Sequence, residues 1–525
     1  MVTLLLLWIA CVGRIVCADR VSLTLTTDED LEDKGGLAEY VDVLRGIGAA
    51  NSRISTGNVL PLLSVPRGMT HWSVASTTDF KDNWYMKPTE VWWDGIRCTH
   101  QPSPWIGDYG QFQIGVAVDS LDRAYYSLDK SQYHPYLFET NLTNYCSSGG
   151  CTQVSFSPSH RGGWFRVGFP SDLRHKKRIT ITIPDGHGLV SSQGNTSAHG
   201  YSTLHEGNAS NFKHHFSAVF DADGNASWVV SKNQLTIVSD DAREVNIRIG
   251  TSFISMEQAC LNRKRELDIH SSVWDVSRET RNKWEKMLTR VQVEGGLEEQ
   301  KRMLYTSLYR ALLFPRNLAE IDAKNRVVHW SPYTGKVHKG PFSTDSGFWD
   351  AYRTLYPMLH LVYPEVAKEV LKGWINAMKE NNGRVPEWSS PGFRASMVGS
   401  MSDVTMSEAI VNGVLTGEDA GAMYKAIVNN AFSEEHNRGN DLTEYLEKGY
   451  VAGKVALTLN FLLADHAISK AARFRNDTHI AEVLENRTSN WNILFDQRTG
   501  FFRSRSENGT FEEPFDSYAW QGDRK

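Results

Sequence analysis

A chain of 525 residues, 41% apolar and 22% charged, holds enough material for more than one hydrophobic core, because single cores stop growing near about 250 to 300 residues. Its formal net charge of −5 argues against a polyanion binder, so nucleic acid is not an expected partner. The 16 Trp, 19 Tyr and 22 Phe suit cores and ligand-stacking platforms equally well and decide nothing alone.

The first 18 residues read as a secretory signal, with an apolar run from Leu4 to Ile9 that continues to Val12, and small residues at Val16, Cys17 and Ala18 before a cut at Asp19. No later stretch approaches the roughly 18 apolar residues of a membrane span. A secreted or lumenal protein is expected, the lysosome included. Cleavage removes Cys11 and Cys17 and leaves Cys98, Cys146, Cys151 and Cys260; the CSSGGC run from Cys146 to Cys151 is spaced to close a small disulfide loop. Seven Asn-x-Ser/Thr sequons, at Asn141, Asn195, Asn208, Asn225, Asn476, Asn486 and Asn508, predict a glycoprotein.

From Val21 to about Ile254 short runs rich in Val, Ile, Thr and aromatics (VSLTLTT, FQIGVAV, WFRVGF, RITITIP, QLTIV, VNIRIG) are separated by Gly, Asp, Asn and Ser clusters. This punctuation predicts an antiparallel β-sandwich over residues 19–255. Within it the Pro- and Gly-rich IRCTHQPSPWIGDYG stretch, Ile96 to Gly110, predicts a rigid loop bearing His100, Trp105 and Asp108. Trp105 is either a loop-packing aromatic or a pocket floor, and Asp108 either an Asx-turn residue or a ligand contact. No CxxC or Cys/His motif suggests zinc, and the adjacent His214 and His215 point to opposite faces of a strand, so they share no metal.

Met256 to Leu288 turns charged and helical and reads as a linker over 256–296. The next segment, Glu298 to Pro315, opens a helical domain over 297–525, with Leu304, Leu308, Ala311 and Leu312 on its apolar face. Further helices are predicted at Gly347 to Val362, Glu365 to Glu380, Val404 to Leu415, Ala420 to Phe432, Lys454 to Phe474 and Thr478 to Leu494. In the first of these Asp350 and Arg353 fall off the apolar stripe, about 60° apart on a helical wheel. They serve either as a ligand-binding edge or as a dipole complement with its ion-pair partner.

The motifs FWDAYRTLYP, RVPEW (Arg384 to Trp388) and MVGSMSDVTMSEAIVNG (Met397 to Gly413), with VPRGM at Val65 to Met69 and the GFFRSR and EPFD runs near the end, together resemble glycoside hydrolase family 92, in order and in spacing. That family comprises calcium-dependent, inverting exo-α-mannosidases. The resemblance implies that the sandwich is followed by an (α/α)6 toroid, and the seven helices counted after residue 297 leave such a ring incomplete. It implies hydrolysis of mannose termini of N-glycans, α-1,2 linkages foremost, with Asp350, Arg353, Trp105, His100 and Asp108 touching substrate; Glu387, where relatives carry Lys or Arg, is read as a substrate-binding rim residue of the pocket rather than an acid.

The family's general-acid segment, its calcium segment and its paired base carboxylates have no counterpart before Lys525, so the match reads as C-terminally truncated. The catalytic residues are expected beyond Lys525, and no calcium ligand is expected within this chain. Met401 stands where relatives carry His, and Glu408 where they carry Asp. A second reading is an inactive carbohydrate-binding relative without the acid and base. A third is a different glycosidase whose acid lies among Glu387, Glu408 and Asp403.

Overall fold

A computed structural model describes residues 15–17, 21–25, 36–47, 59–80, 84–87, 91–103, 106–118, 123–173, 175–205, 212–397, 400–435 and 437–518. The expected signal peptide, apart from a short strand at Ile15–Cys17, and the sequon at Asn208 lie outside these residues, as does Trp105. The chain groups into two compact units, Met1–Gly340 and Pro341–Lys525. Helix Glu298–Ala311 therefore falls in the first unit, whereas the reading from sequence opens the helical domain at 297.

The first unit is built on two antiparallel sheets, one of eight strands and one of six. Alternation explains why these segments form strands: Lys177–Thr182 and Gln234–Ser239 bury every second residue, and their register sets Ile179 opposite Ile237 and Ile181 opposite Leu235. Aromatic side chains join the two sheets face to face. Trp72 of the six-stranded sheet packs on Phe156 of the eight-stranded sheet at 4.9 Å, and Phe112 on Phe216 at 4.9 Å. The antiparallel sandwich is present as expected.

The expected linker is two helices, Met256–Glu266 and Val273–Leu288, and both pack on the sandwich. Each starts at a serine whose side chain accepts a first-turn N–H, Ser255 from Gln258 and Ser272 from Asp275. Gly250 lets the first helix approach its strand, because a Cβ there would fall 2.4 Å from the Ala259 carbonyl oxygen. In the second, Trp284 is fully buried and donates to the Ser64 carbonyl at 2.7 Å, while its ring meets Tyr309 of helix Glu298–Ala311 at 5.1 Å. Cys146 and Cys151 are joined in a disulfide on the hairpin of the eight-stranded sheet; Cys98 and Cys260 are free. Among the described sequons all six asparagines are exposed.

The second unit is helical, with nine α-helices among its described residues. The helix expected over Gly347 to Val362 is broken into Phe348–Ala351 and Leu355–Val362. Pro357 explains the break: its ring collides with the carbonyl four residues back, so the helix restarts at Leu355 and places Pro357 in a first turn. The apolar contacts persist across the break, with Phe348 stacked on Tyr356 at 5.4 Å and against Trp374 at 5.1 Å. Asp441–Lys448, which falls between the predicted helices, is a further helix with Gly449 in the left-handed region after its end (φ 79°). Thr478–Leu494 divides into Thr478–Thr488 and Trp491–Leu494.

Candidate functional site

In the second unit a two-residue strand, Ser346–Gly347, pairs with Trp388–Ser389, and the Phe348 N–H donates to the Glu387 carbonyl at 3.1 Å. The FWDAYR and RVPEW motifs are thereby joined. The joint requires Gly347, since a Cβ there would fall 2.1 Å from the Trp388 indole nitrogen. Asp350 stands at the surface just beyond, its pKa raised by partial enclosure and lowered in part by Arg353 and by the Trp388 indole. Arg353 is exposed and folds back on its own segment, with its guanidinium 4.4 Å from the Trp349 ring centre and 4.5 Å from that of Tyr352.

Glu387 is buried, not exposed on a rim. Its carboxylate accepts from the backbone N–H groups of Met401 and Ser402, the first turn of helix Met401–Val411. Burial nevertheless pushes its pKa up to about 8, the Ser402 bonds opposing and the neighbouring Asp403 carboxylate adding to the rise. Glu387 is therefore mostly a neutral acid at pH 7.

Beneath it lies a fully buried chain of charge. Arg438 pairs with Asp465 at 2.7 Å and with Asp403 at 3.4 Å, and all three side chains are 0% exposed. Asn430 donates to Asp403 at 2.7 Å, and Tyr445 donates to Asp465 at 2.8 Å. Burial lifts Asp403 to about 6 against the pull of Arg438. A cavity of about 500 Å³ opens above this network, lined by Glu387, Arg384, Arg394, Phe393, Arg438 and Phe461 among others. It has the size of a small-ligand pocket, with apolar rings and convergent polar groups. The sequence pointed to Glu387 and the motif around it but not to Arg438, Asn430 or Asp465, which come from other segments and carry no local signal. Met401 is fully buried, and Glu408 lies half-buried with a carboxylate oxygen 3.8 Å from His360 Nδ1.

The remaining sequence candidates belong to the first unit. Asp108 is buried, accepting from the Thr99 hydroxyl at 2.5 Å and from the His100 and Tyr109 backbone N–H groups at 2.7 Å each. Burial raises its pKa to about 7. His100 is also fully buried and donates from Nδ1 to the Tyr109 carbonyl at 2.7 Å. Neither side chain presents a surface to a sugar, so the substrate-binding role expected for His100 and Asp108 is replaced by one internal to the sandwich: Asp108 folds the loop around itself. Trp105 lies outside the described residues.

Residues 258–525 match the Glycosyl hydrolase family 92 catalytic domain and residues 40–262 the Glycosyl hydrolase family 92 N-terminal domain. The chain belongs to glycosyl hydrolase family 92. The structure of a family GH92 inverting mannosidase from Bacteroides thetaiotaomicron VPI-5482 is similar to this family 92 chain over 93% of its residues, at 29% identity and a TM-score of 0.86, covering 69% of that enzyme. A family GH92 α-mannosidase from Bacteroides thetaiotaomicron shares the fold at 21% identity with a TM-score of 0.76, over 93% of this chain and 70% of that one. An uncharacterized secreted glycosidase of Arthroderma benhamiae is 22% identical over 312 residues, 53% of this chain. The chain spans 35% of the length of that curated relative.

Proposed function

We propose that this family 92 chain is part of an exo-α-mannosidase of the secretory route, which removes α-1,2-linked mannose from the termini of N-glycans by single displacement. The observation that supports the reading is the likeness, along 93% of the chain, to an inverting mannosidase. The pocket over Glu387 is compatible with it. A neutral carboxyl, three arginines and two phenylalanines are groups that hold an uncharged polyol by hydrogen bonds and ring stacking. In this reading Asp350 and Arg353 contact the sugar at the surface, and Glu387 orders the pocket wall through the helix it caps. Among the described residues no helix is long and apolar enough to cross a membrane, which is compatible with secretion.

Inverting hydrolysis needs an acid and a base carboxyl about 6.5 to 9.5 Å apart with a water between them. Glu387 and Asp403 do not make that pair, because Asp403 is fully buried and held by Asn430 and Arg438. We assign neither catalytic group within these 525 residues.

Calcium, part of the proposal through family membership, needs hard oxygen ligands. Among the described residues one group of three metal-capable Cys, His, Asp or Glu side chains comes together, Cys98, His100 and His214, and its nitrogen and sulfur donors do not fit calcium. No step is routed through that ion.

The test extends the protein to the full length of its family and offers it α-1,2-mannobiose. Mannose released first as the β-anomer, with turnover lost on chelation of calcium, is the expected result. Binding of mannose without release identifies a carbohydrate-binding relative instead, and neither binding nor release overturns both.

A further inference from the structure

We propose that Cys98, His100 and His214 form a binding site for one borderline-soft transition-metal ion, zinc or copper, that pins the two sheets of the sandwich together. Cys98 lies on strand Gly95–Thr99 of the six-stranded sheet, with His100 one residue past its end. His214 is the first residue of strand His214–Ala222 in the eight-stranded sheet. One potential ligand atom from each residue lies within 4.8 Å of the other two. Ligands bonded tetrahedrally to one zinc at about 2.0 to 2.3 Å stand about 3.3 to 3.6 Å apart, so side-chain movements of about 1 Å close the site.

The hydrogen bonds prepare the imidazoles for such an ion. His100 Nδ1 lies 2.7 Å from the Tyr109 carbonyl oxygen and His214 Nδ1 lies 2.7 Å from that of Gly110. A carbonyl only accepts, so each Nδ1 carries the proton and each Nε2 keeps its lone pair. Both Nε2 atoms are buried with no hydrogen-bond partner. A histidine whose Nδ1–H is held by a carbonyl is the arrangement that orients metal ligands. Gly110, in the left-handed region at φ 64°, makes the His214 bond possible, since a Cβ there would fall 2.7 Å from His214 Cβ.

Packing without an ion leaves this cluster short of a donor. The Cys98 thiol has one proton and satisfies at most one of the two lone pairs. An ion bound to all three satisfies both imidazoles and takes up the thiolate, which burial in this pocket otherwise disfavours. Burial also keeps both histidines neutral, the ligating form. Asp108 supplies negative charge near Cys98. Arg316 acts on the cluster with charge of the opposite sign, whereas burial keeps the nearby His71 neutral. Two imidazole nitrogens and one sulfur are donors that match zinc and copper and not calcium or magnesium. All three residues are buried, so the ion enters as the chain folds.

The full chain, produced in a secretory host and purified without metal-affinity resin, is folded with Zn2+ in one sample and Co2+ in another, and its bound metal is measured. The expected result is about one ion per chain, with a sulfur-to-cobalt charge-transfer absorption in the cobalt form. Cys98→Ala and His214→Gln each bring the content below about a tenth of an ion and abolish that absorption. Copper carried through purification and lost with the same variants supports the site equally. A wild-type chain folded with zinc that holds no stoichiometric transition ion overturns the proposal, as does a Cys98→Ala variant that keeps its full complement. If both variants fail to fold, the cobalt spectrum of the wild-type chain decides, and a bound cobalt without the sulfur band overturns it. The outcome is independent of mannosidase activity.

Discussion

The carboxylate oxygens of Glu387 lie 3.1 and 3.2 Å from the backbone nitrogen of Ser402, so an acid from one motif caps the helix of the next. The Met401 N–H donates to the same carboxylate. The cap ties the pocket-lining Glu387 to the start of helix Met401–Val411 and holds a titratable group there.

That cap makes stability depend on pH with a defined sign. Glu387 holds its proton up to about 8 in the folded chain, against an ordinary value of 4.5, so between these values the folded state binds more protons than the unfolded one. Its contribution is fully present below the unfolded value and is lost as pH rises toward 8. Glu387→Gln, which keeps a carbonyl oxygen for the N–H groups, removes this dependence. Unfolding free energies from urea titrations between pH 4.5 and 8 should fall less steeply for the variant, by on the order of 4 kcal/mol across the window.

Arg438→Met removes the cation that Asp403 and Asp465 share and leaves Asp465 with Arg487 alone, 3.4 Å away. The expected loss is about 3 to 5 kcal/mol, because an uncompensated buried charge costs more than the pair contributes. Adding Asp465→Asn to the variant should restore part of the loss, and a chemical-denaturation double-mutant cycle over Arg438 and Asp465 measures the coupling.

Gly347→Ala drives a methyl group into the Trp388 indole. It should cost about 1 to 3 kcal/mol and weaken mannose binding, since Trp388 moves beside Asp350. In a Trp388→Ala background the same change should cost nearly nothing, and the melting temperatures of the four proteins check the non-additivity.

Asp350→Asn changes an exposed residue, so its melting temperature should match that of the wild type. If Asp350 contacts sugar, mannose affinity falls about tenfold, the worth of one charge-assisted hydrogen bond. Unchanged affinity removes it from the proposed site. Calorimetric titration with methyl α-mannoside separates the two.

Much of the architecture is legible in the residues. The alternation in Lys177–Thr182 and Gln234–Ser239 marks sandwich strands, and the family motifs mark the catalytic-type region.

The sequence by itself determined the two-part plan, the disulfide spacing of Cys146 and Cys151 and the family, because strand alternation, turn residues and motif order are local properties of the chain. Tertiary structure alone decided that Glu387 is buried beside Asp403 and that Arg438 joins Asp403 to Asp465. It likewise decided that His214, which shares no metal with its neighbour His215, meets His100 and Cys98 from the opposite sheet. Such meetings depend on which sheet face or helix end each segment presents to another far away in sequence, and the pKa of each group follows from burial that no neighbour along the chain records.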